Sequence, residues 1–387
     1  MGDHYDVIVI GVGSMGASAC YHLAKRGAKV LGLDSQPVPN TNSSYNGNTR
    51  VIRLTYQEHP DYVPLLKDAY RLWEKIEQEA KEKLFHKTGV LYMGFPDGNA
   101  IKGVKLASKK HNLSYSNLTH DDLTKQFPQF TLPEGMVGAL EPNGGYLLSE
   151  NIVKTYKEQA QRKGAHIITE QPVLDWSHNN NNVTVFTKSK KYFADQLIIS
   201  AGPWSDSLLH LPKLKLSVTR QVLGWVKPSQ PKRFRRGDFP VWNIDPNGDN
   251  NLHGIYYGFP ISNTPSEGNG LKVAWHHPGK PMHPDNITQE ISANDEEEIL
   301  LPLRRYLPSA LGPIKKIKVC KYTNSTDSHF IIDCHPDSNR IHFACGFSGH
   351  GFKFSSSIGK ILSELALDKK TSSSIGFLGL DRFNNNK

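Results

Sequence analysis

The sequence predicts an α/β chain, α+β overall, in which a parallel nucleotide-binding part is interleaved with a part built on a mixed, largely antiparallel sheet. Three observations carry this. A strand–helix–strand pattern with a glycine fingerprint opens the chain at Asp6–Asp34. Buried-strand patterns of the same style return at Ala194–Gly202 and at Phe330–Gly346. Between these stretches the texture changes twice to short strands and loops. The expected division is therefore 1–84, 149–213 and 320–387 for a nucleotide-binding domain, and 85–148 and 214–319 for a second domain that would carry the substrate.

The opening unit is specific at each step. Val7-Ile8-Val9-Ile10 is a β-branched apolar run bounded by glycine, the pattern of a strand buried on both faces. Gly11, Gly13 and Gly16 follow in G-x-G-x-x-G spacing. Gly11 permits a tight turn, Gly13 lets a pyrophosphate approach the backbone, and Gly16 lets the helix pack close to the strand. A helix to about Arg26 is expected, with Met15, Cys20, Leu23 and Ala24 on one face and Gly27 as its stop. Its free N–H groups and dipole attract phosphate. Val30–Leu33 is the second strand, and Asp34 at its end is placed to accept ribose hydroxyls. A 2′-phosphate would be repelled there, so a dinucleotide without one is expected, FAD or NAD.

The loop after Asp34 leaves the carboxyl edge of the sheet, where ligands of this fold sit. It leads to Arg50 and Arg53, three apart, which on a helical turn would share a face suited to an anion. Pro60–Ala80 has helical spacing. Phe85–Leu148 reads as short strands and loops, with strands at Gly89–Gly94 and Gly135–Leu140 and a short helix at Asp121–Phe127. Ser149-Glu150-Asn151 is expected to cap a helix to about Lys163. Val183–Phe186 is a hairpin strand after the asparagine run Asn179–Asn182, an exposed turn. Ala194–Gly202 is a buried strand ending beside the nucleotide, with a helix to Leu209 after it. Strands at Trp225, Val241-Trp242, Tyr256–Phe259 and Leu271–His277 build the antiparallel sheet, and Asp295–Tyr306 is a helix with an acidic first turn. Gly349–Lys353 is a glycine-rich turn into a helix ending near Leu367.

The 387 residues are 37% apolar and 21% charged, suited to a globular protein with a large core. The formal charge is +9, but its basic clusters, Lys232–Arg236 and Lys315–Lys318, come with no nucleic-acid motif, so no nucleic-acid partner is expected. No stretch is long and apolar enough to cross a bilayer, so no membrane partner is expected either. Cys20, Cys320, Cys334 and Cys345 show no metal spacing, and no metal is expected. A cytoplasmic or peroxisomal location is expected, although Arg382–Lys387 is not a Ser-Lys-Leu type signal.

Further motifs in register carry a resemblance over essentially the whole chain. They are Gly47–Arg53, Lys87–Leu91, Gly254–Pro260, Val319–Thr323, His329–Asp333 and Gly346–Lys353. The chain resembles the flavin-dependent amine oxidases of the monomeric sarcosine oxidase, N-methyltryptophan oxidase and pipecolate oxidase group. The resemblance implies FAD, one per chain, linked through Cys320 as an 8α-S-cysteinyl flavin. A thiolate adds to the electrophilic 8α carbon, and cationic surroundings favour the thiolate. It implies Arg53 and Lys353 on the substrate carboxylate, a charge-assisted pair. It places Tyr257 and His276 beside the substrate, with His277 as the competing neighbour. Lys272 would activate oxygen electrostatically, and Arg50 would lie near the flavin. Beyond the fingerprint, it implies cofactor contacts from Asp6, Ser14, Met15, Ser35, Gln36 and Ser44. Thr49, Arg50, Val173, Gly202, Gly349, Gly351 and Lys353 complete that set. Two departures stand out: Asn46 where relatives carry histidine, and a longer loop at Asp245–Leu252.

The reaction implied is oxidation of a secondary amino acid at its C–N bond by a monomer, with O2 as acceptor and hydrogen peroxide as product. Sarcosine would give glycine and formaldehyde. L-Pipecolate or another N-methyl amino acid is the alternative substrate. An amine dehydrogenase of the same fold, or a flavin-bound assembly subunit, is the alternative activity.

Overall fold

The computed structural model describes residues 4–212, 214–247, 253–262 and 270–383. Five parallel strands form the centre of the first sheet, in the order His166–Ile168, Val30–Leu33, His4–Ile10, Lys191–Ile199 and Ser338–Cys345. The hairpin Val173–His178/Val183–Thr187 extends it along the first half of Lys191–Ile199. Ile331–His335 closes the other edge, antiparallel to Ser338–Cys345. Register aligns Leu33, Ile10, Ile199 and Phe343 in one row. The loops that carry Gly11, Asp34, Gly202 and Gly346 thus leave the sheet side by side at its carboxyl edge.

Alternation within the first strand feeds two cores. Val7 and Val9 pack beneath the helices Ser14–Lys25, Val63–Ala80, Ser149–Arg162 and Ser355–Asp368. Ile8 and Ile10 pack against the hairpin and the short helix Ser205–Leu209. Met15, Cys20, Leu23 and Ala24 are all buried, as their spacing predicts.

The second sheet has eight strands, in the order Ile314–Asn324, Ser217–Val226, Leu271–His276, Ile255–Phe259, Val241–Asp245, Val90–Gly94, Val137–Glu141 and Ser116–Leu118. Every pairing is antiparallel except that of Val241–Asp245 with Val90–Gly94. One face, with Leu91, Trp242, Tyr256, Val273 and Val222, packs on the helix Ala293–Tyr306 through Ile299 and Leu303. The other face presents Tyr92, Asn243, Tyr257, Ala274 and Leu223 in one row across five strands. Cys320, Tyr322, Lys272 and His276 share that face by their even spacing. The strand Ile314–Asn324 runs unbroken through residue 320.

A third, three-stranded sheet joins Thr49–Ile52 to Gly145–Leu148 and Phe85–Lys87. It holds the loop 41–48 and Arg53 between the two large sheets.

Two local expectations are corrected. A helix at Asn99–His111 occupies a stretch read as loops. Its buried Ala100, Ile101, Val104 and Ala107 have helical spacing, which Gly98, Gly103 and four lysines obscure. Ser149 does not cap its helix but begins it, after Leu148 and without a side-chain cap. Glu150 is drawn instead to the Gly47 N–H, at 3.1 Å. The Asn179–Asn182 turn forms as expected, the Asn179 carboxamide accepting from the N–H groups of Asn181 and Asn182.

Candidate active site

The carboxyl edge of the first sheet opens into a cleft of about 480 Å3. Gly11 stands at φ 84°, and a Cβ there would lie 2.5 Å from the Ser200 carbonyl. A Cβ on Gly16 would lie 1.8 Å from the Gly11 carbonyl, so the helix could not approach the strand. Over Gly13 the space is open except for the Tyr45 ring at 3.6 Å. The helix that begins at Ser14 and Met15 has neither a side-chain cap nor an acid in its first turn. Its N–H groups and positive dipole end therefore face the cleft. Asp34 lines the same cleft. Its two oxygens accept the N–H groups of Val12 and Gln36 at 2.8 and 3.0 Å, and burial raises its pKa. Lone pairs remain for a ribose. These features fit a dinucleotide.

Ser35, Gln36, Ser44, Val173, Gly202, Gly349 and Gly351 line this cleft with Arg50. Asp6 does not. It sits at the far end of the first strand, where its carboxylate accepts the Lys29 N–H at 2.7 Å. A residue at the amino end of a parallel strand cannot reach a ligand at the carboxyl edge. Thr49 is buried outside the cleft lining, its carbonyl and hydroxyl accepting from Lys272 Nζ, and Gly16 acts through packing. Lys353 and Cys320 belong to a second, smaller cavity of about 70 Å3 that adjoins the first and shares Arg50, Tyr322, Gly349 and Phe352 with it.

The second cavity lies against the polar row of the second sheet. Arg53, Lys353, Tyr257, His276 and Cys320 all line it. Arg50 and Arg53 are not on a helical turn. Thr49–Ile52 is a strand, and Arg53, just past its end, turns back into the same cavity. Arg53 pairs with Glu58, Nη2 to Oε1 at 2.5 Å. Burial opposes ionisation of Glu58, but the neighbouring cations, Arg53 above all, outweigh it and hold its pKa at about 2. Lys353 Nζ donates to the His350 carbonyl at 2.6 Å. Burial and the repulsion of Arg53 lower its pKa to about 7. The Tyr56 ring supports both cations, with Arg53 Cζ and Lys353 Nζ each 5.1 Å from its centroid.

His350 is fixed as one tautomer. Its Nε2 lies 2.9 Å from the Ser328 carbonyl, which can only accept, so Nδ1 is the acceptor of the Tyr56 hydroxyl at 2.5 Å. His276 is neutral too, its pKa pushed by burial to about 4. His277 points to the opposite side, with Nε2 3.7 Å from Glu298.

Cys320 and Arg50 meet where the two cavities join. Arg50 donates to the carbonyls of Thr49, Ser44 and Asn46 at 2.8, 2.9 and 2.5 Å, and its Nη2 lies 3.6 Å from Cys320 Sγ. Asn46 is held in turn. Its amide donates to Thr41 and Val319 carbonyls, and its oxygen accepts from Lys318 Nζ at 3.0 Å. Lys318 also pairs with Glu150 at 3.1 Å. Lys321 points to the other side, toward Asn42 and the Trp204 ring, as strand alternation requires. Lys272 is buried, its Nζ donating to the carbonyls of Gly47 and Thr49 at 2.7 and 2.8 Å. Burial and Arg50 hold its pKa well below that of an ordinary lysine.

Glu58, Gln57, Asn243, Tyr56 and His350 were not singled out from the sequence. A lone asparagine between Trp242 and Ile244 was the readable signal; Glu58 carries none. Among the described residues, Arg53 Nε, Gln57 Oε1, Glu58 Oε2 and Asn243 Nδ2 are buried without a hydrogen-bond partner, and all four side chains line the second cavity. Unpaired buried polar atoms cost free energy, and their convergence marks a polar ligand's place. Of the longer loop expected at Asp245–Leu252, residues 248–252 lie outside the described residues.

Residues 6–365 match the model of the FAD dependent oxidoreductase family. A monomeric sarcosine oxidase of Bacillus sp. (strain B-0618) is 41% identical, over 99% of this chain and 97% of its own. An N-methyl-L-tryptophan oxidase of Yersinia pestis (strain Pestoides F) is 32% identical, over 98% and 99%. Among solved structures, NikD, an unusual amino acid oxidase essential for nikkomycin biosynthesis, superposes with a TM-score of 0.86 at 23% identity, over 97% of each chain, a likeness of fold. With the glycine fingerprint, the ribose acid and the polar cavity joined in one cleft, the chain belongs to the FAD-dependent oxidoreductase family.

Proposed function

We propose that the protein is a flavoprotein oxidase of small secondary amino acids, with sarcosine as the reference substrate. The observation that carries this is the convergence of Arg53 and Lys353 on a cavity that adjoins the fingerprint cleft. FAD, when bound, supplies a two-electron acceptor for the C–N bond, and O2 then takes those electrons to give hydrogen peroxide.

The chain's own residues bind, orient and tune. Gly11, Gly13, Ser14 and Asp34 hold the nucleotide, and Cys320 is the point of covalent attachment. Arg53 and Lys353 bind the carboxylate and fix its orientation by charge-assisted hydrogen bonds. Gln57 Oε1 and Glu58 Oε2 are acceptors for the two N–H groups of the ammonium form in which a secondary amino acid binds, and one N–H remains once the amine is neutral. The reacting amine must be neutral, since its lone pair has to be free. Neutral His276 and the Tyr257 hydroxyl beside it leave that form undisturbed by a further cation. Lys272, when protonated, provides positive charge for oxygen reduction on the side of Gly47 and Thr49, whose carbonyls accept from its Nζ. The product imine hydrolyses, and sarcosine gives glycine and formaldehyde. We place the domain junction after the strand Ile314–Asn324, since Cys320 and Tyr322 belong to the substrate wall. The reading is of a monomer. No helix among the described residues is long and apolar enough to cross a membrane.

The test is a peroxide assay of the holoenzyme across sarcosine, N-methyl amino acids, L-pipecolate and proline, with anaerobic bleaching of the flavin in parallel. Peroxide formed in step with substrate loss is expected, together with a yellow pellet after acid precipitation. Substrate loss without peroxide would make the protein a dehydrogenase. A colourless pellet would remove the Cys320 linkage.

A further inference from the structure

The oxidase reading accounts for three of the four unpaired polar atoms in the second cavity. Arg53 Nε meets the carboxylate, and Gln57 Oε1 and Glu58 Oε2 meet the two N–H groups of the bound ammonium form. Asn243 Nδ2 remains. Asn243 is 5% exposed, in the middle of the strand Val241–Asp245, between Tyr257 on one neighbouring strand and Tyr92 on the other. Its strand neighbours Trp242 and Ile244 face the apolar core, so register turns Asn243 toward the cavity that it lines with Tyr257 and Ile255. An apolar residue there would avoid the cost that an unpaired buried amide carries. Sarcosine offers nothing to this amide once its carboxylate is bound by two cations and its amine by two acceptors, because its only other group is a methyl.

We propose that Asn243 is a specificity-determining residue that reads a hydrogen-bonding group on the substrate's substituent. The preferred substrate is then a secondary amino acid carrying a hydroxyl, amide or similar polar group on its nitrogen or its α carbon. This rests on the oxidase reading of the site. The chemistry favours such discrimination: a buried amide left unpaired penalises an apolar isostere, whereas an apolar wall discriminates poorly against an added hydroxyl.

Two isosteric pairs test this on the holoenzyme. The first is N-(2-hydroxyethyl)glycine against N-propylglycine, which varies the nitrogen substituent. The second is N-methylserine against N-methyl-2-aminobutyrate, which varies the α carbon. In at least one pair the wild type is expected to favour the hydroxylated member in kcat/KM by about tenfold or more. Asn243→Leu is expected to bring that ratio to one or below. A wild-type preference for the apolar member in both pairs overturns the proposal without any variant. So does a ratio that Asn243→Leu leaves in place. A loss in Asn243→Leu that is equal for sarcosine and the hydroxylated substrates also overturns it, since Asn243 would then serve the carboxylate. Failure of every secondary amino acid to bleach the flavin would instead remove the oxidase reading itself.

Discussion

Arg53 and Glu58 form an ion pair inside the cavity that a substrate carboxylate must enter, with Nη2 and Oε1 2.5 Å apart and the arginine side chain 7% exposed. A carboxylate ligand therefore competes with a resident one for the same guanidinium. Removing one partner of such a buried pair leaves the other charge in search of a counterion. Glu58→Gln is expected to tighten binding of a simple carboxylate inhibitor by about three- to tenfold, an effect of about 1 kcal/mol. A flavin spectral titration reads it, and unchanged or weaker binding would show that Glu58 does not compete.

Lys353 gives the site a pH dependence. Its pKa of about 7 means that its charge is lost as pH rises through neutrality, where an ordinary lysine stays charged. A bound carboxylate favours the charged form, so binding is linked to proton uptake. The dissociation constant of a permanently ionised carboxylate inhibitor should rise above pH of about 7, by up to about tenfold per unit. Lys353→Arg should flatten this rise, because the guanidinium stays charged. A flat profile in the wild type would move the titrating group elsewhere.

Lys272 is held away from the second cavity, beneath the loop Gly47–Thr49, so its effect should fall on one half of the reaction. Lys272→Met is expected to leave anaerobic reduction by substrate largely intact. Reoxidation by O2 should slow by about 10²-fold or more. Stopped-flow measurement of the two half-reactions separates them, and normal reoxidation would remove the role.

Gly16→Ala tests the fingerprint as packing rather than as chemistry. The added methyl meets the Gly11 carbonyl at 1.8 Å and the Ser200 hydroxyl at 2.7 Å. Helix and strand must separate, at a cost of about 3 kcal/mol. The melting temperature should fall and purified protein should carry less flavin. A variant with full flavin content and unchanged melting would mean that the helix can shift freely.

The nucleotide half of the fold was legible because its signals are local. Strand, glycines, helix and acid follow one another within 6–34, and the structure puts each where its spacing points. The cavity half was legible only where a residue belongs to a motif, as Arg53, Tyr257, Cys320 and Lys353 do, or where the family resemblance points to it, as for His276. Glu58 and Asn243 come from separate stretches that meet only when the third sheet folds over the second. Asn243 is marked in the sequence only as a polar residue between Trp242 and Ile244, and which partner each of the two lacks leaves no mark in a linear pattern. The helix Asn99–His111 was missed for a different reason. Its apolar stripe is present, but glycines and lysines interrupt it.

The row Leu223, Ala274, Tyr257, Asn243 and Tyr92 rests on the two-residue period of five paired strands. A one-residue slip in any of them would turn its member of the row into the apolar core behind. Substrate choice in this molecule is thus open to substitution but closed to insertion within the sheet. Laboratory evolution would gain most from a small library at positions 223, 243 and 255, with strand lengths left untouched.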